Sequence, residues 1–216
     1  MSTEPAERVL FVVGSGKAGP PDAQLVASAL EGHAGAATII WERYVVLVRG
    51  ILRRSLGLRD VEDQTQEVFL RLFDSLPNLR DPAALKSFVF GIALRVAGTE
   101  LRHRRMQWWL RLTPTGVPAD CQLACHDDPE AKAALGRLYA ILDQLGTRAR
   151  LAFVLRYVEG MELTEVAAAL EISLATAKRQ IARAASRVFA MVERDPALAQ
   201  YLPSGRASRE GSSSGN

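Results

Sequence analysis

Apolar residues recur at steps of three and four along two long blocks of the chain, which is the spacing of one face of a helix. The first block covers residues 22–112, with breaks at GHAG, SLGLRD and LPNLRDP, and the second covers residues 131–195. Neither block contains the alternating apolar and polar pattern of a strand. The pattern therefore predicts an all-α protein made of two small helical domains.

The remaining segments have the composition of connections rather than of packed structure. Residues 1–21 hold a short apolar run followed by GSGKAGPP, and we expect them to form a flexible leader. Residues 113–130 contain three prolines and little periodicity, which predicts a flexible linker between the domains. The Ser- and Gly-rich sequence of residues 196–216 predicts a disordered tail.

Two helices are predicted to meet near the end of the second block. Val166, Ala167 and Leu170 mark the inward face of the first, short helix. Ile172 is the apolar residue that a tight turn would cover. Ser173 is placed to cap the next helix, because its hydroxyl can accept a backbone N–H that has no partner inside the helix. The spacing predicts a helix-turn-helix.

The second of these helices separates apolar from cationic positions. One set of residues recurs at steps of four, three and four, which predicts the buried face. Its members are Ala177, Ile181, Ala184 and Val188. The opposite side, in the first half of the helix, carries Lys178, Arg179, Ala182 and Arg183. A helix-turn-helix inserts this half into the major groove, where cationic donors meet base edges and phosphates.

A solvated basic face on a core helix is the alternative interpretation, since charged helix faces are common. No carboxylate lies between Glu171 and Glu193, and this favours an anionic partner. The formal charge of the whole chain is only +3, so the composition by itself does not indicate a nucleic-acid-binding protein.

Segments of both blocks resemble segments of one protein family. Residues 145–184 resemble region four of the extracytoplasmic-function sigma factors, which are specificity subunits of bacterial RNA polymerase. Their sequence is LGTRARLAFVLRYVEGMELTEVAAALEISLATAKRQIARA. DVEDQTQEVFLRLF, residues 60–73, resembles the acidic helix of region two. LKSFVFGIALRVAGTELRHRR, residues 85–105, resembles the promoter-melting segment that recognises the −10 element. The resemblance extends over roughly residues 22–195.

The resemblance implies partners and assigns residues to each. Core RNA polymerase would be bound through the clamp coiled coil of its largest subunit, by Glu62, Asp63, Gln66 and Glu67. The −10 region would be bound by Leu79, Arg80, Phe90, Arg95, Thr99, Arg102, Arg104 and Arg105. The −35 element would be bound by Lys178, Arg179, Ala182 and Arg183, with Ser173 and Thr176 positioning phosphates. Family habit also implies an anti-sigma factor as regulator.

Two positions depart from the family pattern. Many relatives carry tryptophan where Phe88 stands and asparagine where Arg95 stands. Asparagine bonds base edges, whereas arginine more readily takes phosphate or guanine, so we expect an unusual −10 preference. Phe88 is expected to pack in the core rather than to stack on bases.

No catalytic or cofactor site is expected. VVGSGKAG fails the phosphate-loop spacing, because Phe11 stands where the first glycine is needed. Cys121, Cys125 and His126 offer metal-ligand chemistry or a redox pair, but they lack the usual C-x2-C spacing, and inert linker residues are the expectation. No secretory signal is present and VLFVV is too short to span a membrane, which indicates a cytoplasmic protein.

Two other functions stay open from the residues alone. A stand-alone helix-turn-helix regulator would bind a duplex specifically without polymerase, at paired half-sites. A helical adaptor that binds only protein would tolerate charge reversal at Arg179 and Arg183. The sigma factor hypothesis is preferred because both blocks match the family, not one.

Overall fold

The structure, a computed structural model, describes residues 20–57, 61–110 and 129–199. All regular elements in these three stretches are helical and no strand occurs in them, which confirms the all-α prediction. The leader, the linker with Cys121, Cys125 and His126, and the residues after Ala199 lie outside the described residues.

The first block forms four helices joined by short connections. They are α1 (Asp22–Leu30), α2 (Ala34–Leu56), α3 (Glu62–Ser75) and α4 (Leu85–Leu110). Two 3-10 turns, Leu76–Asn78 and Pro82–Ala84, lie between α3 and α4. These interruptions fall at the three predicted breaks. At the second of them α2 ends on Gly57, whose φ of 98° is a conformation that a residue with a Cβ rarely adopts.

The described residues 129–199 form five helices. They are α5 (Pro129–Asp143), α6 (Thr147–Phe153), α7 (Leu163–Ala169), α8 (Leu174–Arg194) and α9 (Pro196–Ala199). A π-helical turn, Val154–Val158, extends α6. Gly160, with φ of 69°, follows this turn in the left-handed conformation that is common just after the end of a helix.

Helix α9 corrects the predicted start of the tail. Leu198 is only 5% exposed and packs in the same cluster as Val192, while the Asp195 carboxylate accepts the Ala197 N–H at 3.0 Å. Pro196 looks like a helix breaker, but proline suits the first position of a helix because its missing N–H would have no partner there. Helical structure therefore continues four residues beyond position 195.

The predicted core positions of the first block are buried. The apolar set at helical spacing that predicts the inward face is buried at Val61, just before α3, at Thr65, Val68, Phe69 and Leu72 in α3, with Phe73 partly buried, and in α4 at Leu85, Val89, Ile92, Val96 and Leu101. Phe88 packs against the same cluster, as expected. Each fully buried aliphatic side chain contributes about 1.5–3 kcal/mol, so this cluster stabilises the four-helix unit.

The two helical blocks pack directly on one another. The cluster of the first block also contains Leu151 and Leu155 of the α6 segment, Val166 of α7 and Ile181 of α8. A second cluster, built from α5, α6, α8 and α9, lies within the second block. Periodicity predicted the two blocks but not this shared core, because their contacts join residues far apart in the sequence.

Candidate nucleic-acid interface

Helix α8 begins at the predicted cap. The Ser173 hydroxyl accepts the Thr176 N–H at 3.2 Å and donates to the Thr176 hydroxyl at 2.9 Å. A serine at this position stabilises a helix by about 1 kcal/mol relative to alanine. The prediction of an N-cap is confirmed, and the two hydroxyls bond to one another.

The turn before α8 has a defined hydrogen-bond pattern. The Ile172 N–H donates to the Ala167 carbonyl at 3.0 Å, and the Glu171 N–H donates to the Ala168 carbonyl at 3.1 Å. This is a Schellman motif, in which the residue at the Glu171 position adopts the left-handed conformation. Glu171 does so with φ of 53°, although it is not a glycine. The start of α7, the helix before this turn, carries a capping box between Glu162 and Glu165.

The two faces of α8 are separated as the spacing predicted. Ala177, Ala184 and Val188 are at most 1% exposed, and Ile181 is 7% exposed. Lys178, Arg179, Ala182 and Arg183 are all exposed. In the part of the chain that the structure describes, no carboxylate forms an ion pair with any of these three cations; Arg179 only approaches the Thr176 hydroxyl, at 3.5 Å. Their charge is therefore available to an anionic partner.

Further cations that sequence reasoning missed lie beside this face. Arg148 and Arg187 join Arg183 along a shallow groove of about 320 Å³ between the start of α6 and the middle of α8. Thr147 and Gln180 also line this groove. Arg148 belongs to α6 and the other two arginines belong to α8, so only the packing of α6 on α8 brings the three residues to one groove.

Helix α4 carries the second group of predicted DNA-binding residues on its outer face. Arg95, Thr99, Arg102 and Arg105 are exposed. The Arg102 guanidinium donates to the Thr99 hydroxyl at 3.0 Å, and that hydroxyl donates to the Arg95 carbonyl at 3.0 Å. Arg95 also donates to the Glu171 carboxylate at 2.9 Å. The structure thus joins this face of α4 to the turn before α8.

Three of the predicted −10 residues are placed differently from this exposed group. Arg104 donates to Glu100 at 2.6 Å and to the Leu56 carbonyl at 3.0 Å, so its guanidinium is turned toward the end of α2. Phe90 and Leu79 are partly buried and pack against the first core cluster. Arg80, in the connection before α4, is exposed. Arg104 and Phe90 consequently serve packing and helix-end contacts in this arrangement.

The predicted polymerase-binding face of α3 is partly paired. Glu62 forms an ion pair with Arg49 at 2.7 Å, and Glu67 forms one with Arg71 at 2.6 Å. Asp63 and Gln66 are exposed, and Asp63 has no ion pair with a described residue. Within the described ranges, this face therefore presents Asp63 as its one carboxylate without an ion pair.

Apolar residues that sequence reasoning did not assign accompany this acidic face. Leu70 of α3 is 63% exposed and Val46 of α2 is 71% exposed. Trp41 contacts Phe69, with ring centroids 4.2 Å apart, while Arg49 contacts Glu62, so α2 and α3 run antiparallel. Val46 thus belongs to the stretch of α2 that lies along α3, and such exposed large apolar residues often mark a binding surface.

The described residues contain neither a membrane-spanning helix nor a cluster of metal-binding side chains. None of these helices combines the length and apolar character that crossing a membrane requires. No group of three or more histidine, cysteine, aspartate or glutamate side chains within the described ranges is arranged to hold a metal ion.

Comparison with known proteins identifies both halves. Residues 40–107 match the family model described as Sigma-70 region 2, and residues 135–188 match the one described as Sigma-70, region 4. The chain is 30% identical to the ferric citrate uptake sigma factor FecI of Escherichia coli over 141 residues, covering 62% of this chain and 77% of FecI. It is 27% identical to the RNA polymerase sigma factor CnrH of Cupriavidus metallidurans over 187 residues, covering 82% and 97% of the two chains.

A solved structure agrees with these matches. The structure of CnrH in complex with the cytosolic domain of CnrY superposes with a TM-score of 0.56 at 25% identity, covering 82% of this chain and 99% of that chain. The ECF RNA polymerase sigma-E factor of Haemophilus influenzae is 25% identical over 171 residues, covering 76% of this chain and 90% of that factor.

Proposed function

This chain belongs to the extracytoplasmic-function sigma factors of RNA polymerase, and we propose that it recognises two promoter elements through the surfaces of α8 and α4 described above. Residues 131–195 form the unit for the −35 element, and residues 22–112 form the unit for core polymerase and the −10 element. The observation that carries the proposal is the capped helix α8, whose cations Lys178, Arg179 and Arg183 are exposed and have no carboxylate partner among the described residues.

The −35 element is recognised by the first half of α8. Arg179 and Arg183 are one turn apart on the exposed face, so both reach into one major groove when the start of the helix enters it. Arginine donates two hydrogen bonds to guanine or contacts phosphate, and Lys178 adds a point charge for phosphate. Ser173 and Thr176 fix the start of the helix against the phosphate backbone, and Ala182 leaves room for close approach to the bases.

The −10 region is bound along the exposed ridge of α4 and the connection before it. Thr99, Arg102 and Arg105 supply hydroxyl and guanidinium donors, and Arg80 extends the cationic surface toward the connection. Arg95 in place of the family's usual asparagine favours phosphate or guanine contacts. Phe90, Leu79 and Arg104 support this ridge from the core side, as their partial burial suggests.

Core polymerase is bound by α3. Asp63 and Gln66 provide the polar part of that surface, and the ion-paired Glu62 and Glu67 border it. Leu70 supplies an exposed apolar anchor, and an interface commonly combines such an anchor with a polar rim. An acidic surface also speeds the encounter with a basic partner.

The proposal places the protein in the cytoplasm, with its polymerase and DNA partners. It catalyses no reaction itself and needs no cofactor. A protein regulator of the anti-sigma class is a further expected partner, since the related CnrH was solved in complex with the cytosolic domain of CnrY.

Run-off transcription tests the proposal. Core polymerase is combined with this protein on the DNA upstream of its own gene, and a start-site-specific transcript is expected that core enzyme alone does not produce. The variant Arg179→Ala with Arg183→Ala should lose the transcript, while Arg194→Ala, an exposed arginine in the last turn of the same helix, should retain it. If no native promoter yields a specific transcript, or if the double variant transcribes normally, the proposal is wrong.

A further inference from the structure

The connection between α3 and α4 presents one exposed cation between neighbours whose positions are fixed. The Leu79 N–H donates to the Leu76 carbonyl at 3.1 Å. The Asp81 carboxylate accepts the Ala83 N–H at 3.0 Å. Leu79 and Asp81 both have extended backbone angles, and side chains alternate along extended backbone. Leu79 accordingly packs against the first core cluster, while Arg80 is exposed.

Helix α1 forms the wall behind this connection. It packs against both 3-10 turns that flank the connection, Leu76–Asn78 and Pro82–Ala84. Leu25 and Val26 of α1 are at most 3% exposed and lie in the same core cluster as Leu76. Because a closely packed interior transmits displacements, a shift of α1 would also shift the connection.

Helix α1 is too short to hold its own position. It has nine residues, and an isolated helix of this length is marginal in water. Pro21, the residue before it, provides no side-chain cap. The far end of α1 leads into α2 through Gly32, whose φ of 84° suits a glycine. The position of the start of α1 therefore depends on contacts with the rest of the domain.

Three side chains, Asp22, Arg43 and Tyr44, form a clasp between the start of α1 and α2. Arg43 Nη1 donates to Asp22 Oδ1 at 2.6 Å, and the Tyr44 hydroxyl donates to the other carboxylate oxygen. Arg43 Nη2 also donates to the Pro20 carbonyl at 2.8 Å. Both carboxylate oxygens thus have donors, and the first turn of a helix is itself favourable for a carboxylate.

Partial burial makes this clasp specific in position. Tyr44 is 5% exposed, and the side chains of Asp22 and Arg43 are 21% and 29% exposed. Charge-assisted hydrogen bonds in such a setting are directional, and a partner left without its bond there is costly. The ion pair between Arg71 and Glu67 is more exposed and lies within one helix, so it fixes no element relative to another. The clasp, in contrast, joins two helices.

We propose that Asp22, Arg43 and Tyr44 are positioning residues for recognition of the −10 region. Through α1 they hold the connection so that Arg80 and the backbone beside it meet a −10 base in one geometry. The inference rests on the proposed function, which assigns this connection and α4 to the −10 region. The three side chains act through α1 and not by contact with DNA. A loosened clasp should therefore weaken discrimination among −10 bases and leave the −35 surface of α8 unchanged.

Forked promoter fragments test the clasp. The duplex part carries the −35 element, the −10 segment of one strand is left unpaired, and each of its bases is replaced in turn by an abasic nucleotide. Wild-type holoenzyme should bind at least one of these probes about fivefold more weakly than the intact fork, the lower end for a lost base contact. Tyr44→Phe and Asp22→Asn should cut this −10 factor to about twofold or less, since displacing a binding group by about 1 Å can cost more than this. A duplex that ends before the −10 segment should be bound as by wild type.

Two comparisons separate positioning from a loss of stability. Ile51→Val removes one methylene from the same core, at a residue 1% exposed on α2, and it should lower stability while keeping the full −10 factor. Tyr44→Phe combined with Asp22→Asn should reduce the −10 factor little further than either change alone, because both changes break one network. Urea unfolding verifies that each variant is folded at the assay temperature.

Spin labels measure the position of α1 in the full-length protein without DNA. Labels are attached through Ala27→Cys on α1 and Ala83→Cys in the second 3-10 turn, both exposed positions, in a Cys121→Ser, Cys125→Ser background. The distance distribution from pulsed electron paramagnetic resonance should be narrow in this background. It should broaden when Tyr44→Phe is added and stay narrow when Ile51→Val is added.

The outcomes distinguish the clasp from the proposed function. A base dependence that wild type shows and both clasp variants keep at full strength overturns the role of the clasp alone. So does a label distribution that neither variant broadens, or an equal loss of binding to the −35 duplex. A wild-type holoenzyme that is indifferent to every base of the −10 segment contradicts the proposed function and, with it, the role of the clasp.

Discussion

Arg95 of α4 donates to the carboxylate of Glu171 across the contact between the two blocks, with 2.9 Å between Nη1 and Oε1. Arg95 is exposed on α4, and Glu171 adopts a left-handed conformation that glycine occupies with less strain. The pair joins the predicted −10 surface to the helix-turn-helix.

The strain at Glu171 predicts that Glu171→Gly stabilises the protein. A side chain with a Cβ in the left-handed region costs about 1–2 kcal/mol relative to glycine, whereas an exposed ion pair contributes at most about 1 kcal/mol. We expect the free energy of unfolding to rise by roughly 0.5–1 kcal/mol, measured by urea denaturation. Glu171→Ala is the control: it loses the pair and keeps the strain, so it should not be more stable than wild type. Equal stability of the two variants would contradict this explanation.

The cap of α8 predicts a graded response at Ser173. Ser173→Ala removes the acceptor for the Thr176 N–H and should lower the free energy of unfolding by about 1 kcal/mol. Ser173→Asp keeps an acceptor at the start of the helix and should remain within about 0.5 kcal/mol of wild type. Thermal and urea unfolding measure both. A neutral alanine variant would show that the cap does not stabilise α8.

The exposed cations of α8 predict a specific salt dependence. Each phosphate contact that is lost makes the slope of log K against log salt less steep by about 0.9. Arg183→Ala should therefore weaken promoter binding by holoenzyme. It should also make this slope less steep by about 0.9, the value for one phosphate contact. The exposed Arg194 at the end of the same helix gives the control, and Arg194→Ala should change neither quantity. Binding is measured by fluorescence anisotropy between 50 and 200 mM salt. An unchanged slope for Arg183→Ala would show that Arg183 does not contact a DNA phosphate.

The apolar residue beside the acidic face of α3 predicts an effect on polymerase binding alone. Leu70→Ser should weaken the affinity for core polymerase by about tenfold, or roughly 1.4 kcal/mol, which is the effect of losing an anchor residue near the centre of an interface. Its exposure of 63% predicts a change in unfolding free energy within about 0.5 kcal/mol. Leu30→Ser, at a residue 51% exposed on α1, is the matched control. If both variants bind core enzyme equally well, Leu70 is not an anchor.

The contact between α1 and α2 predicts an alkaline limit of stability. Burial, and then the hydrogen bond to the Asp22 carboxylate, raise the pKa of Tyr44 well above its ordinary value. The folded state holds the phenol proton that the unfolded chain releases near pH 10, so this contribution is complete below that pH and declines as the pH rises further.

Tyr44→Phe isolates this contribution, because Asp22 keeps its ion pair with Arg43 at 2.6 Å. We expect the variant to be less stable by about 1.5–3 kcal/mol at pH 8, the range for a hydrogen bond to a charged group. The difference from wild type should shrink between pH 10 and 11.5 in urea unfolding experiments. A difference that stays constant over this interval would contradict the raised pKa.

Local sequence signals determined the helices and the two faces of α8. The steps of Ala177, Ile181 and Val188 lie within a few turns of one helix, and the cap at Ser173 acts on a backbone N–H three residues away. Such short-range effects depend on chain geometry and can be predicted without knowing the fold. The Ser- and Gly-rich composition placed the start of the tail at residue 196, whereas Pro196–Ala199 form a further turn of helix in which Leu198 is buried.

Tertiary structure alone decided which charges are free and how the blocks meet. The sequence grouped Glu62 and Arg104 with exposed binding residues, yet Glu62 pairs with Arg49 of α2, and Arg104 donates to the Leu56 carbonyl at the end of α2. Arg150 looked like any other arginine, although it is buried against Ser55, 95 residues away in the chain. Periodicity reports only which side of a helix is apolar; the partner of a long polar side chain depends on which distant backbone groups folding brings within its reach.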